Sequence, residues 1–224
     1  MPHLILIPAR KNSRRLPGKN MRLLGGKPLI QHSMEYALQH AGPGDKIIVS
    51  SDDEAILDLA GKMCIEAHHR PAELARDETP TAQVLQAIAV EFGNDFQDVI
   101  LLQPTNPFRP RDLWQNALQI FYNSGRNSLM SVSPVKHKLG RIEEETFMPF
   151  NYTFGQRSQD MEPLFRENGL FYITRMSYIR KGQIITPDVF PLITDHIYGT
   201  VDIDTREDWD WAEFVYRKYV QHEK

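Results

Sequence analysis

Five cations crowd into ten residues near the start of the chain: Arg10, Lys11, Arg14, Arg15 and Lys19. Ser13, Pro17 and Gly18 interrupt them, so the segment reads as a turn-rich loop. A guanidinium presents a planar fork to phosphate oxygens and an ammonium a compact point charge. The spacing fits neither a Walker loop nor G-x-G-x-x-G, which sets aside the two commonest phosphate loops. Near the other end, Asp202 and Asp204 alternate with Val201 and Ile203. On a strand, that alternation sends both carboxylates to one face. Two hard oxygen donors on one face suit Mg²⁺, which takes one or two carboxylates plus substrate phosphates and waters. Phosphate chemistry with a divalent cation is what these residue types permit. A solvated basic turn, and a strand that simply ends at Asp204, are the structural alternatives.

These groups need elements to position them. Leu4 to Ile7 is a short apolar run that reads as a buried strand, ended by Pro8. A basic loop at the carboxyl end of a first parallel strand is where open α/β sheets place anionic ligands. A helix follows with Pro28 near its first position, and Gly42-Pro43-Gly44 stops it. Lys46 to Ser50 reads as the second strand, and Ser51-Asp52-Asp53-Glu54 as a capping box opening a helix to about Met63. Cys64 to Ala67 reads as a third strand with Cys64 a buried structural thiol. Thr79 is expected to cap a helix that starts at Pro80. Val99 to Leu102 is the strongest central strand, followed by an amphipathic helix from Pro110 to Tyr122 and a strand at 129–132. Thr205 and Asp208 form a second capping box, starting a last helix through Tyr219. The alternation predicts an α/β, Rossmann-like three-layer fold with a mostly parallel central sheet. Residues 134–169 break the pattern and read as an insertion that covers the site or reaches a partner subunit.

Composition narrows the class. The 224 residues suit one sizeable domain, and a net charge of −3 argues against a general nucleic-acid binder. The single cysteine excludes an intramolecular disulfide and fits a reducing compartment. No apolar run is long enough to span a membrane, and no basic leader precedes the first strand. A cytoplasmic protein is the expectation.

Several motifs, taken in order, resemble the sugar cytidylyltransferases. Ile-Pro-Ala-Arg with Ala9 and Arg10, then Ser13, then Leu-Pro-Gly-Lys and Asn20, are similar to their nucleotide-binding signature. Lys19-Asn20 is closer to the acylneuraminate branch, since the octonate enzymes usually have a proline after that lysine. Arg70-Pro71-Ala72-Glu73-Leu74, the Thr79 stretch, Gln103-Pro104-Thr105-Asn106-Pro107 and Asn168-Gly169 to Tyr172 continue the resemblance. Val201 to Thr205 is close to the family's terminal metal motif. The resemblance implies that CTP is joined to an acidic 2-keto sugar, giving a CMP-sugar and pyrophosphate. It implies Arg10 and Lys19 on the triphosphate, and Ala9, Ser13, Asn20, Arg70 and Thr79 about the nucleotide. Gln103 and Tyr172 would hold the sugar, and Asp202 and Asp204 the Mg²⁺. It further implies a homodimer in which Arg157 of the insertion crosses to the neighbour's sugar, with Arg141 as a second arginine.

Other residues carry no such role. Asp52 and Asp53 read as helix N-terminal carboxylates. His68 and His69 are expected to point to opposite sides of an extended segment, which argues against a shared metal, and Arg109 reads as structural or peripheral. Another acidic sugar, the octonate included, stays open, as does a non-catalytic nucleotide sensor. Ile185 and Thr186 stand where some sialic-acid enzymes carry aromatics, which leaves the acceptor itself unassigned.

Overall fold

Period-two alternation in the first strand explains the layering. In β1 (His3–Pro8), Leu4 and Leu6 join one apolar core while Ile5 and Ile7 join the other, all four fully buried. A strand buried on both faces needs helices on both sides. The computed structural model describes residues 2–222. After β1 come β2 (Leu23–Leu24) and β3 (Lys27–Pro28), which pair only with each other, then β4 (Lys46–Ser51), β5 (Glu66–His69) and β6 (Asp98–Leu101). They are followed by β7 (Ser128–Val135), β8 (Gly140–Glu143), β9 (Thr146–Pro149), β10 (Leu164–Arg175) and β11 (Phe190–Ile193). The helices are α1 (Leu29–His40), α2 (Glu54–Lys62), α3 (Thr81–Phe92), α4 (Leu113–Ser124), α5 (Met176–Ile179) and α6 (Arg206–Val215).

The main sheet has seven strands in the order β11-β7-β10-β6-β1-β4-β5. All neighbours pair parallel except β10, which is antiparallel to both β6 and β7. Helices α1, α2, α4 and α6 bury Ile30, Ile56, Trp114 and Trp209 against one face. The opposite face is covered by α3 and α5 through Leu85, Ile88, Met176 and Ile179. The three-layer, mostly parallel α/β fold expected from the sequence is what the chain forms. From β1 the chain winds outward through β4 and β5, then restarts at β6 on the other side of β1. Strand order reverses there, and such reversals open a crevice beyond the carboxyl ends of the strands.

Some local expectations are corrected. Cys64 is exposed and in the left-handed region at φ 57°, and the strand begins only at Glu66. The helix ending at Lys62 explains this: Ile65 N–H donates to Ala60 O at 2.9 Å and Cys64 N–H to Gly61 O at 3.0 Å. That is the paired closure in which the residue past the cap turns left-handed, a place glycine usually takes. Asp53, not Ser51, caps α2, accepting from Ala55 N–H at 3.0 Å. Pro80 rather than Thr79 occupies the cap position of α3, and the Thr79 hydroxyl donates to Glu73 O. The helix expected from Pro110 begins at Leu113.

The ends of the expected insertion belong to the sheet, since Leu164 to Glu167 of β10 pairs with Val135 to Val132 of β7. The segment between them carries the β8–β9 hairpin, with Ile142, Phe147, Phe150 and Phe154 exposed.

Candidate active site

The basic loop is held from both ends. Ala9 N–H donates to Ser50 O at 2.9 Å, prolonging the β1–β4 ladder by one bond. Gly18 then takes φ +66°, which turns the chain into a short 3₁₀ turn over Lys19–Met21. Leu16 is buried beneath the loop. The Asn20 amide crosses it to donate to Arg10 O at 3.0 Å, and Lys11 N–H donates to Asp52 Oδ1 at 2.7 Å. Thus Asp52 fastens the loop instead of capping α2.

Lys19 is nearly buried, and its ammonium donates to Ile203 O at 2.5 Å and to Asp204 Oδ1 at 2.9 Å. Arg15 reaches the other oxygen of Asp204 at 2.5 Å. Two motifs at opposite ends of the chain therefore close on one carboxylate. The segment carrying it is not the ladder strand expected at 200–204. It is tied instead by Ile203 N–H to Thr105 O at 2.9 Å and by the Asn106 amide to Val201 O at 2.9 Å. The predicted alternation survives, because Val201 and Ile203 are fully buried and anchor the two aspartates outward. Asp208 accepts from the backbone of Asp204 and Thr205, completing the expected capping box of α6. Partial desolvation, and then the charge of Asp204, hold the Asp202 carboxyl above the usual range. Among the described residues no three His, Cys, Asp or Glu side chains gather to hold a metal unaided. Asp202 and Asp204 are hard oxygen donors of the kind Mg²⁺ takes, with the rest of its shell from substrate and water, although both Asp204 oxygens here pair with Lys19 and Arg15.

Arg70 forms the opposite wall and is buried. Its guanidinium donates to Ser50 Oγ at 3.3 Å and Ser50 O at 2.7 Å. Burial lowers its pKa to about 10, with Asp52 opposing the fall and Arg10 adding to it. His68 turns inward to Ser50 Oγ while His69 points out toward Glu54, so the two do diverge. Between the walls stands Asp77. Its carboxylate accepts from Arg10 Nη1 at 2.8 Å and, through its other oxygen, from Arg14 Nε. The hydrogen bond from Arg14 is the main cause that lowers the Asp77 pKa.

Arg10, Lys19, Asn20, Arg70, Asp77 and Asp204 line one cleft of about 260 Å³ at the reversal of strand order. Of the residues proposed from sequence, Ala9, Arg10, Ser13, Lys19, Asn20, Arg70, Thr79, Gln103 and Asp204 all face it. Asp202 and Tyr172, also proposed from sequence, do not line it, and the Tyr172 hydroxyl donates to Glu167 Oε2 at 3.3 Å. Burial, then Glu167 and Asp202, hold the Tyr172 phenol above its ordinary pKa. Arg157 does not reach the cleft of its own chain, pairing instead with Asp160 at 2.8 Å, and Arg141 pairs with Glu143. Arg109 is structural and buried, donating to Leu170 O, Ser33 Oγ and Gln103 O. Sequence reasoning missed Asp77, Ser50 and Asn106. Nothing in the sequence set Asp77 apart from Glu73 and Glu78 in the same loop.

A Rossmann-like sheet with a cation-lined cleft at its strand reversal defines a nucleotide-binding enzyme class. The cytidylyltransferase family model matches residues 4–221, and the chain belongs to that family. It is 34% identical over 221 residues to a CMP-N,N'-diacetyllegionaminic acid synthase of Legionella pneumophila, covering 94% of each chain. It is 32% identical to a pseudaminic acid cytidylyltransferase of Campylobacter jejuni, with 100% of this chain and 99% of that one covered. A solved CMP:2-keto-3-deoxy-manno-octonic acid synthetase complexed with CTP shares the fold, with a TM-score of 0.71 at 17% identity. That likeness covers 97% of this chain and 99% of the other.

Proposed function

We propose that the protein joins CTP to a sialic-acid-like 2-keto nonulosonic acid, releasing pyrophosphate. The observation that carries this is the meeting of Lys19 and Asp204 in a cleft also lined by Arg10, Arg70 and Gln103. Such a cleft offers cations for a triphosphate, a carboxylate for a divalent cation and a neutral amide for sugar hydroxyls. Two relatives matched over nearly their whole length are named for legionaminic and pseudaminic acids, which favours a nonulosonic acceptor.

In this reading Arg10 and Lys19 grip the β- and γ-phosphates, with Ser13 and the Ala9 backbone at their side. Asn20 keeps the loop closed, and Arg70 and Thr79 place the nucleoside. Gln103 and Tyr172 orient the sugar so that its anomeric oxygen attacks the α-phosphorus in line. The new P–O bond forms as the bond to pyrophosphate breaks, and the hydroxyl proton is released to solvent; among the described residues none lining the cleft is a histidine. Positioning and charge neutralisation supply most of the catalysis in such transfers. Asp202 and Asp204 would hold Mg²⁺, which neutralises phosphate charge when bound. A homodimer bringing Arg157 to the neighbour's sugar carboxylate, and a cytoplasmic location, complete the proposal.

The test is pyrophosphate release from CTP and Mg²⁺ with neuraminate, its deaminated form, legionaminate, pseudaminate and octonate. Release with one nonulosonate, lost in Lys19→Ala and Asp204→Ala, is the expected result. Silence with every acid despite CTP binding refutes the enzyme reading and leaves a sensor. Release with octonate alone refutes the acceptor class.

A further inference from the structure

The cleft already contains an anion of its own. Asp77 lies in the loop between Arg70 and α3, across the cleft from the basic loop. One of its oxygens takes Arg10 and the other takes Arg14, and Arg10 Nη1 also reaches Asp77 O at 3.2 Å. A carboxylate with its two oxygens shared between two guanidinium groups is the arrangement that a phosphate would adopt there. Among the described residues the Asp77 carboxylate serves only these two arginines: it caps no helix and accepts from no backbone N–H. We propose that Asp77 is an internal competitor for the nucleotide's phosphates, occupying Arg10 and Arg14 until a polyphosphate displaces it. The residue therefore sets the affinity of the site. This rests on reading the cleft as a triphosphate site.

Two features make the exchange feasible. The side chains are 34% exposed for Arg10, 72% for Arg14 and 30% for Asp77, so water screens the pairs and they are weak. A triphosphate brings several negative charges to the same donors, so it wins the exchange while losing part of its binding free energy to the displaced carboxylate. Asp204 differs, because it holds the buried Lys19 and belongs to the proposed cation site.

The experiment is calorimetric titration of the whole chain with CTP and with inorganic tripolyphosphate, no divalent cation added. Wild type is compared with Asp77→Asn and Asp77→Ala. Glu78→Gln removes the same charge one residue away without touching either arginine's hydrogen bonds. The expected result is a roughly threefold to tenfold gain in affinity for both ligands in both Asp77 variants. Glu78→Gln should change it by less than about twofold. Unchanged or weaker binding in the Asp77 variants overturns the proposal, since the carboxylate would then be orienting the arginines for phosphate. An equal gain in Glu78→Gln also overturns it, by reducing the effect to general charge. No binding of either ligand by wild type and variants alike overturns it too. Tighter tripolyphosphate binding in the Asp77 variants, with no pyrophosphate release from any sugar acid, upholds this inference and counts against the proposed function alone.

Discussion

Replacing Asn106 with leucine tests whether a buried amide, rather than the metal motif itself, holds Asp204 in place. Asn106 is 1% exposed, and its Nδ2 donates to Asn168 O at 2.8 Å and Val201 O at 2.9 Å. Its Oδ1 accepts from the Thr105 hydroxyl at 3.0 Å. Leucine has nearly the same shape, so no cavity opens and the loss is that of the hydrogen bonds. Each of the two carbonyls belongs to a residue that is itself buried, Asn168 at 2% and Val201 at 0%. An orphaned buried acceptor costs about 1–3 kcal/mol, so two cost roughly 3 kcal/mol or more. For a chain of this size that lowers Tm by about 6–12 °C. Asn106→Asp, though isosteric, should be worse, because a buried carboxylate would face the two carbonyl oxygens. Thermal and urea unfolding give the stabilities, and CTP titration with Mg²⁺ reads the site. Nucleotide affinity should fall with stability because the 201–204 segment loses its tie. An Asn106→Leu protein within about 1 kcal/mol of wild type and of unchanged affinity would refute the reasoning.

Three further outcomes follow from the same geometry. Gly169 stands at φ +71°, and a β-carbon there would collide with the Asn106 side chain. Gly169→Ala should therefore cost about 2–4 kcal/mol in urea unfolding, and a loss below about 1 kcal/mol would show that the two segments part easily. Ser50→Ala removes the Oγ acceptor of Arg70 and the partner of His68. It should weaken CTP binding by about threefold to tenfold with a stability loss near 1 kcal/mol, and unchanged affinity would detach Ser50 from the orientation of Arg70. Burial works to raise the Asp208 carboxyl, but hydrogen bonds from Thr205 and Asp204 outweigh it and hold the pKa below 3.8. A depressed carboxylate stabilises the fold above its unfolded pKa, and that contribution is lost as pH falls from 3.8 through the folded value. Asp208→Ala should thus cost about 1 kcal/mol at neutral pH and flatten the acid limb of a pH–stability curve; an unchanged limb would assign that limb to other carboxylates.

Sequence alone determined whatever depends on neighbours a few residues apart. The alternation of Leu4 to Ile7 fixed a strand buried on both faces and hence helices on both sides. The Thr205–Asp208 box set the start of α6, and alternation put Val201 and Ile203 inside with the aspartates outside. Most of the cleft was also legible, because its residues follow strand ends and the family resemblance marks them. Boundaries failed where one local rule displaced another: Cys64 was pulled from a strand by the closure of α2, and Thr79 lost the cap to Pro80.

Tertiary structure decided the pairings. Lys19 with Asp204 spans 185 residues, Arg10 with Asp77 spans 67, and Asn106 with Val201 spans 95. No local preference selects Asp204 or Asp77 from the chain's 29 acidic residues, or the Val201 carbonyl from among the others. The sheet does so by setting the basic loop after β1 beside the loop that follows β5, which carries Asp77, and beside the segment after β11, which carries Asp204.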